Sequence, residues 1–230
     1  MEFVVPARFC GPPESGNGGW VSGRLVAYAD IDGVASVRLS SPPPLEQVML
    51  LERDGESTVV QHADVRIAQA SPADPITDGA GPGPVPYTDA VAAGEQYPGL
   101  TNHPFPTCFS CGIDRDPDDA LCLRPGPVGE EVFAAAWQPQ EVTSEIVWSA
   151  LDCPGGWALG VGGRPMVLGT MTTELRELPA VGEECVVMAW RTGGEGRKHT
   201  AATALYAGTR LLAQARSVWL EVDPEKVRPV

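Results

Sequence analysis

One short phrase occurs twice in this chain, as Asn17-Gly18-Gly19-Trp20-Val21-Ser22-Gly23 and as Pro154-Gly155-Gly156-Trp157-Ala158-Leu159-Gly160. Each copy follows a strand-like run and precedes a series of strand-like runs. Internal repetition constrains architecture strongly, because each copy must bury the same kind of face, commonly against its twin. The reading is two copies of one strand–helix–sheet unit in a single chain, with a shared site between them. The phrase is short, so the order of elements around it has to carry the argument.

In the first copy, residues 2–9 read as a strand whose Pro6 suits an edge or a bulge. Asn17 is a good N-cap for a helix over 19–28. The apolar Trp20, Val21, Leu25, Val26 and Tyr28 cover more than one face of that helix, which implies burial. After the Asp32-Gly33 turn, residues 34–39, 48–53 and 57–61 read as strands, with 66–69 a further one. Asp54-Gly55 is a strong hairpin signal between two of them. The second copy repeats the order: a strand over 131–137, then a helix capped by Ser144 and running through Ile146, Val147, Trp148 and Leu151 until Pro154. Strands over 166–177, 184–190, 199–206 and 210–222 follow, separated by glycine-bearing turns.

Between the copies, residues 71–107 hold eight prolines and many glycines, with a short helix near 88–96. That composition reads as a covering linker. The expected division is a first unit over 1–70, a Pro/Gly-rich linker with a cysteine-bearing loop over 71–129, and a second unit over 130–225. The class is α+β: in each unit a curved antiparallel sheet wraps a central helix. One such unit leaves a sheet edge and a helix flank exposed, so the two units pair edge to edge about a pseudo-twofold axis.

The second copy resembles hotdog-fold proteins of the acyl-CoA thioesterase type. The resemblance is carried by residues 167–175, by Pro179 and Gly182-Glu183-Glu184, by Gly196-Arg197-Lys198-His199, by Leu205-Tyr206 and by residues 211–215. The first copy resembles the family through Asn17-Gly18-Gly19, where many members have His-Gly-Gly. The match covers about two-thirds of the chain and leaves out residues 71–130. It implies a double hotdog and, as the commonest activity, thioester hydrolysis. Two features depart from the family: Asn17 and Pro154 stand where a His would precede each glycine pair, and the Asp-x-x-x-x-His spacing of hotdog hydratases is missing.

Net charge sharpens the choice of partner. Sixteen basic against thirty acidic side chains leave −14. A chain this acidic is poorly suited to nucleic acid or to an anionic membrane surface. No basic, apolar leader opens the sequence and no run approaches a membrane span, so the cytoplasm is the expected compartment. The six cysteines do not read as a disulfide framework in a chain of this length. No cofactor is called for. The expected partner is an acyl-CoA or a related thioester, with a homo-oligomer left open.

Thioester hydrolysis needs a carboxylate to activate water or to attack, and donors to polarise the carbonyl. Asp152 lies among Trp148, Leu151 and Trp157, where desolvation would make it a base; its plainer role is to cap a backbone group. The N–H groups of Gly18 and Gly19 open a helix and face outward, and Asn17 could orient substrate or water beside them. The plainer reading is an N-cap with glycines for close packing. Gly155 and Gly156 would act likewise in the second copy. Arg197-Lys198-His199, at a turn, suits the phosphates of coenzyme A or simply a solvated hairpin tip. Cys108-x-x-Cys111 could hold zinc with His103 and either Cys122 or Cys153; a second cysteine pair at standard spacing is missing, so packed free thiols are the favoured reading and no metal is assigned. A non-catalytic acyl-binding or assembly protein is the rival class. A buried Asp152 close to Asn17 across the unit interface would favour the enzyme.

Overall fold

Two longer helices each begin at a side-chain N-cap. The first, α1, spans Gly18–Ala29, and the Asn17 side chain accepts the Trp20 N–H at 2.9 Å as its N-cap. It ends where Asp30 turns into the left-handed region at φ 53°. A shorter helix, α2, covers Tyr87–Gly94. The third, α3, spans Ser144–Ala158, and its cap is Thr143 rather than Ser144, since the Thr143 hydroxyl accepts the Ile146 N–H at 3.3 Å.

The helix α3 does not stop at Pro154, as the sequence led us to expect; it runs on for another turn. Proline removes the N–H that would reach the Ala150 carbonyl and crowds that turn. The carbonyls on either side are held from outside instead: Ser110 Oγ donates to Ser149 O and Thr203 Oγ donates to Leu151 O, both at 2.9 Å. The glycine pair therefore opens α1 in one copy but lies inside α3 in the other. The repeated phrase is not a structural repeat, and Gly155 and Gly156 do not present helix-opening amides.

The computed structural model describes residues 1–77 and 81–227; residues 78–80 of the linker lie outside them. Among the described residues eleven strands, numbered in chain order, make the sheet: β1 (Glu2–Phe3), β2 (Val34–Leu39), β3 (Met49–Asp54), β4 (Ser57–His62), β5 (Val65–Pro72), β6 (Gly126–Gly129), β7 (Val132–Trp137), β8 (Met166–Leu175), β9 (Cys185–Glu195), β10 (Lys198–Ala207) and β11 (Arg210–Glu221). The expected strand over 2–9 shrinks to β1, because the Phe9 N–H turns back to Pro6 O and makes a 3-10 turn of Ala7–Phe9.

All pairings between these strands are antiparallel, and they form one sheet in the order β1-β3-β4-β5-β2-β8-β11-β10-β9-β7-β6. At the middle, Val34–Arg38 of β2 pair with Glu174–Thr170 of β8. Outward from that seam the same chain order appears on each side. First comes the strand after the helix, then the last strand, the third, the second, and then the strand before the helix; on the β8 side β6 is added beyond it.

α1 and α3 lie side by side on one face of this sheet. Gly19 and Gly23, one turn apart on α1, make the crossing possible: a Cβ on Gly19 would stand 2.5 Å from Trp148 O, and one on Gly23 would stand 2.8 Å from the Glu145 Cα. Alternation along β9 shows that its sheet face is covered on both sides. Cys185 and Val187 face the helix side, while Val186 and Met188 pack with Ala90 of α2 on the other. The proline-rich segment contributes Tyr97, Phe105, Phe109 and Leu123 to the main core. No helix among the described residues is long and apolar enough to cross a membrane.

Candidate active site

The N-terminus of α1 meets the middle of α3, and the two are joined by side chains one turn apart on α3. Ser149 Oγ donates to Asn17 Oδ1 at 2.8 Å, and Asp152 Oδ2 accepts the Gly19 N–H at 2.8 Å. A carboxylate here meets one of the four N–H groups that a helix cannot satisfy itself, at the positive end of its dipole. Asp152 and Asn17 are both buried. The other carboxylate oxygen, Oδ1, is shielded and has no protein partner. Burial pushes the Asp152 carboxyl up to about 7, against the lowering pull of the Gly19 N–H; the nearby Cys108 sulfur adds to the rise and the Asn17 side chain opposes it.

Asn17 and Asp152 lie on the floor of a cavity of about 170 Å³. Its walls come from both halves: Leu39 and Gly18 from the first, Trp157, Leu168 and Trp219 from the second, with Pro42 and Pro43 closing one side. The lining is mainly apolar, as a site for an acyl group requires. Gly18, Asp152 and Asn17 all reach it. Gly19 does not serve as expected, because its N–H is already taken by Asp152. Gly156 lines the cavity, and Gly155 packs against β10 and β11 with Ser217 Oγ 3.3 Å from where a Cβ would sit.

The basic hairpin lies next to this cavity and outside its lining. Lys198 and His199 are in register with Leu220 and Trp219, which do line it. Arg197 donates to Glu221 O at 2.8 Å and His199 Nε2 meets Glu221 Oε1 at 2.7 Å, so Lys198 is the member of the cluster that points freely into solvent among the described residues.

Three sulfurs share the same floor. Cys108, Cys111 and Cys153 are buried, with their Sγ atoms all within 4.8 Å of one another. Cys122 lies apart, its thiol turned to Arg115 O at 3.8 Å. Hydrogen bonds from the Cys111 and Cys153 thiols, with backbone N–H groups of Cys111 and Ser110, hold the Cys108 thiol below its usual range. His103 Nε2 is 3.5 Å from Cys111 Sγ, but both ring nitrogens are engaged: Nδ1 accepts the Phe105 N–H at 3.1 Å, and Nε2 reaches Cys111 O at 3.0 Å. Sequence reasoning named Cys153 only as one of two alternatives, because its proximity comes from the Cys108 loop folding back onto α3, where Ser110 Oγ holds Ser149 O.

No family profile and no curated relative matches the sequence. Solved structures do match in fold. A hotdog-fold protein of unknown function from Alicyclobacillus acidocaldarius has a TM-score of 0.61 at 11% identity, with 97% of this chain and 93% of that one covered. A tesB protein of Mycobacterium avium subspecies paratuberculosis gives 0.60 at 10% identity, covering 93% and 90%. An acyl-CoA thioesterase II of Mycobacterium marinum gives 0.58 at 12% identity, covering 96% and 92%. The chain has the hotdog fold, and it shares that fold with proteins described as thioesterases.

Proposed function

We propose that the chain is a double hotdog, with units over 1–70 and 130–225 and an intervening segment over 71–129. In this reading it hydrolyses an acyl thioester, an acyl-CoA by class, in the cavity between the units. The observation that carries the reading is Asp152: a buried carboxylate that lines an apolar cavity, fixed by the Gly19 N–H through one oxygen and without a hydrogen bond to the other. Its uncommitted oxygen takes a proton from water as the water oxygen attacks the thioester carbonyl. The oxyanion forms against the Gly18 N–H at the positive end of α1, with the Asn17 amide alongside. As the C–S bond breaks, the proton passes from Asp152 to the departing thiolate. Phosphates of a coenzyme A would lie towards Lys198, one strand over from the cavity lining.

Asp152→Asn tests this directly. An asparagine keeps the oxygen that accepts the Gly19 N–H and loses the ability to take a proton. Hydrolysis of acyl-CoAs, screened over short, medium, long and aromatic chains, should fall by roughly a hundredfold or more. Binding of the same acyl-CoA and the melting temperature should change little. Full activity in the variant would exclude Asp152 as base.

One observation favours a second reading. The Gly19 N–H, one of the two helix-opening amides expected to meet a carbonyl oxygen, is spent on Asp152. A protein that only binds acyl groups would need no free donor there. Wild-type protein that binds acyl-CoA and hydrolyses none of the panel would establish that reading instead.

A further inference from the structure

We infer that Cys108, Cys111 and Cys153 bind a zinc ion at the floor of the cavity, with the fourth coordination position facing the cavity. This site does not depend on the hydrolase reading.

The spacing of the donors fits the ion. Zinc holds thiolates at about 2.3 Å in a tetrahedron, which places sulfurs about 3.8 Å apart. Cys108 Sγ and Cys153 Sγ are 3.5 Å apart, and all three sulfurs fall within 4.8 Å. Three thiolates from two separate elements select a soft, borderline ion such as zinc over magnesium or calcium.

N–H groups of two neighbouring side chains reach the sulfurs. Asn17 Nδ2 lies 3.7 Å from Cys108 Sγ and 3.9 Å from Cys153 Sγ. Trp157 Nε1 points at Cys111 Sγ from 3.4 Å. Neutral thiols accept hydrogen bonds weakly. Thiolates bound to a metal commonly accept from such neighbouring groups, which fix the ligands' orientation.

The loop that carries two of the thiols is rigid. The Gly112 N–H returns to Cys108 O at 2.8 Å, and a Cβ on Gly112 would stand 2.5 Å from both Cys108 O and Pro106 O. Tyr97 Oη and His103 Nε2 both hold Cys111 O at 3.0 Å. Ser110 Oγ ties the loop to α3 one turn before Cys153. His103 thus braces the loop from behind and is not the fourth ligand. The cavity lining includes all three cysteines, so the remaining position opens towards whatever occupies it.

The test uses full-length, untagged protein reduced with a phosphine. Elemental analysis after growth with zinc should find about one zinc per chain. Cobalt(II) in place of zinc should produce a near-ultraviolet sulfur-to-cobalt charge-transfer band of the strength expected for three thiolates. Cys108→Ser, Cys111→Ser and Cys153→Ser should each lower that band by about a third, in line with one thiolate lost. Cys122→Ser should leave it intact. If a cysteine variant fails to fold, the wild-type band strength still counts the thiolates. Reduced wild type that takes up neither zinc nor cobalt overturns the proposal. So does an iron chromophore in the purified protein, or a cobalt band that survives Cys153→Ser unchanged.

Discussion

Gly19 shows how much one missing side chain can decide. Its bare Cα lets α1 approach α3 closely enough for its N–H to reach Asp152, and a methyl there would stand 2.7 Å from the Asp152 Cβ. Gly19→Ala should therefore destabilise the protein by about 1–3 kcal/mol through overpacking, seen as a fall of several degrees in melting temperature. The control is Gly83→Ala, where a Cβ meets nothing within 4 Å; it should shift stability by less than about 0.5 kcal/mol. At this scale the sequence was only partly legible. The N-cap at Asn17 could be read because capping is local chemistry. The reason for Gly19 could not, since its contact lies on another helix far along the chain. The two glycine pairs look alike in sequence and answer different neighbours: α3 for Gly19, and the Trp219 ring for Gly156, 2.9 Å from where a Cβ would sit.

The helix pair carries one ion pair whose pH dependence can be worked out. Arg24 Nη1 on α1 meets Glu145 Oε1 on α3 at 3.0 Å. Burial alone would push the Glu145 carboxyl up; its own backbone N–H, Arg24, Thr143 and Ser144 outweigh that and hold it below its usual range. A depressed carboxyl stabilises the folded state above the unfolded value of about 4.3, and the contribution disappears as pH falls through the folded value. Arg24 is 41% exposed, so solvent screens the pair and its worth stays below about 1 kcal/mol. Glu145→Gln should lower the urea midpoint slightly and equally at pH 7 and pH 6, and the gap from wild type should close in strongly acidic buffer. A gap that widens with acid would reverse the assignment. Element types along the chain were readable because alternating apolar residues mark strands wherever one face is buried; β2 falls on the residues expected for it. The run of α3 past Pro154 was not readable, because the hydroxyls that hold the neighbouring carbonyls come from Ser110 and Thr203, outside the helix.

Across the whole molecule, β2 and β8 join the two halves into one sheet, and a single cluster of buried side chains runs through both. Halves that share a sheet and a core cannot lose order separately. Thermal unfolding followed by tryptophan fluorescence and by far-ultraviolet circular dichroism should give coincident midpoints; two resolved transitions would mean that the seam is weaker than its pairing indicates. The general α+β architecture was legible from the order of elements. The meeting of Cys153 with the Cys108 loop was not, since it depends on how the long middle segment folds back over α3.

The two ends of the sheet have a consequence for the protein in concentrated solution. At one end β1 is two residues long, and the part of β3 that it leaves uncovered carries Glu52, Arg53 and Asp54. At the other end β6 is short and contains Pro127, with α2 pressed so closely on it that a Cβ at Gly126 would overlap the Ala93 carbonyl. A ladder of open backbone groups invites a neighbouring molecule to add its own strand, and from there fibrous growth can propagate. Here charge guards one terminus while proline and a close-packed helix guard the other, so the two described ends of the sheet are poor templates for a further strand.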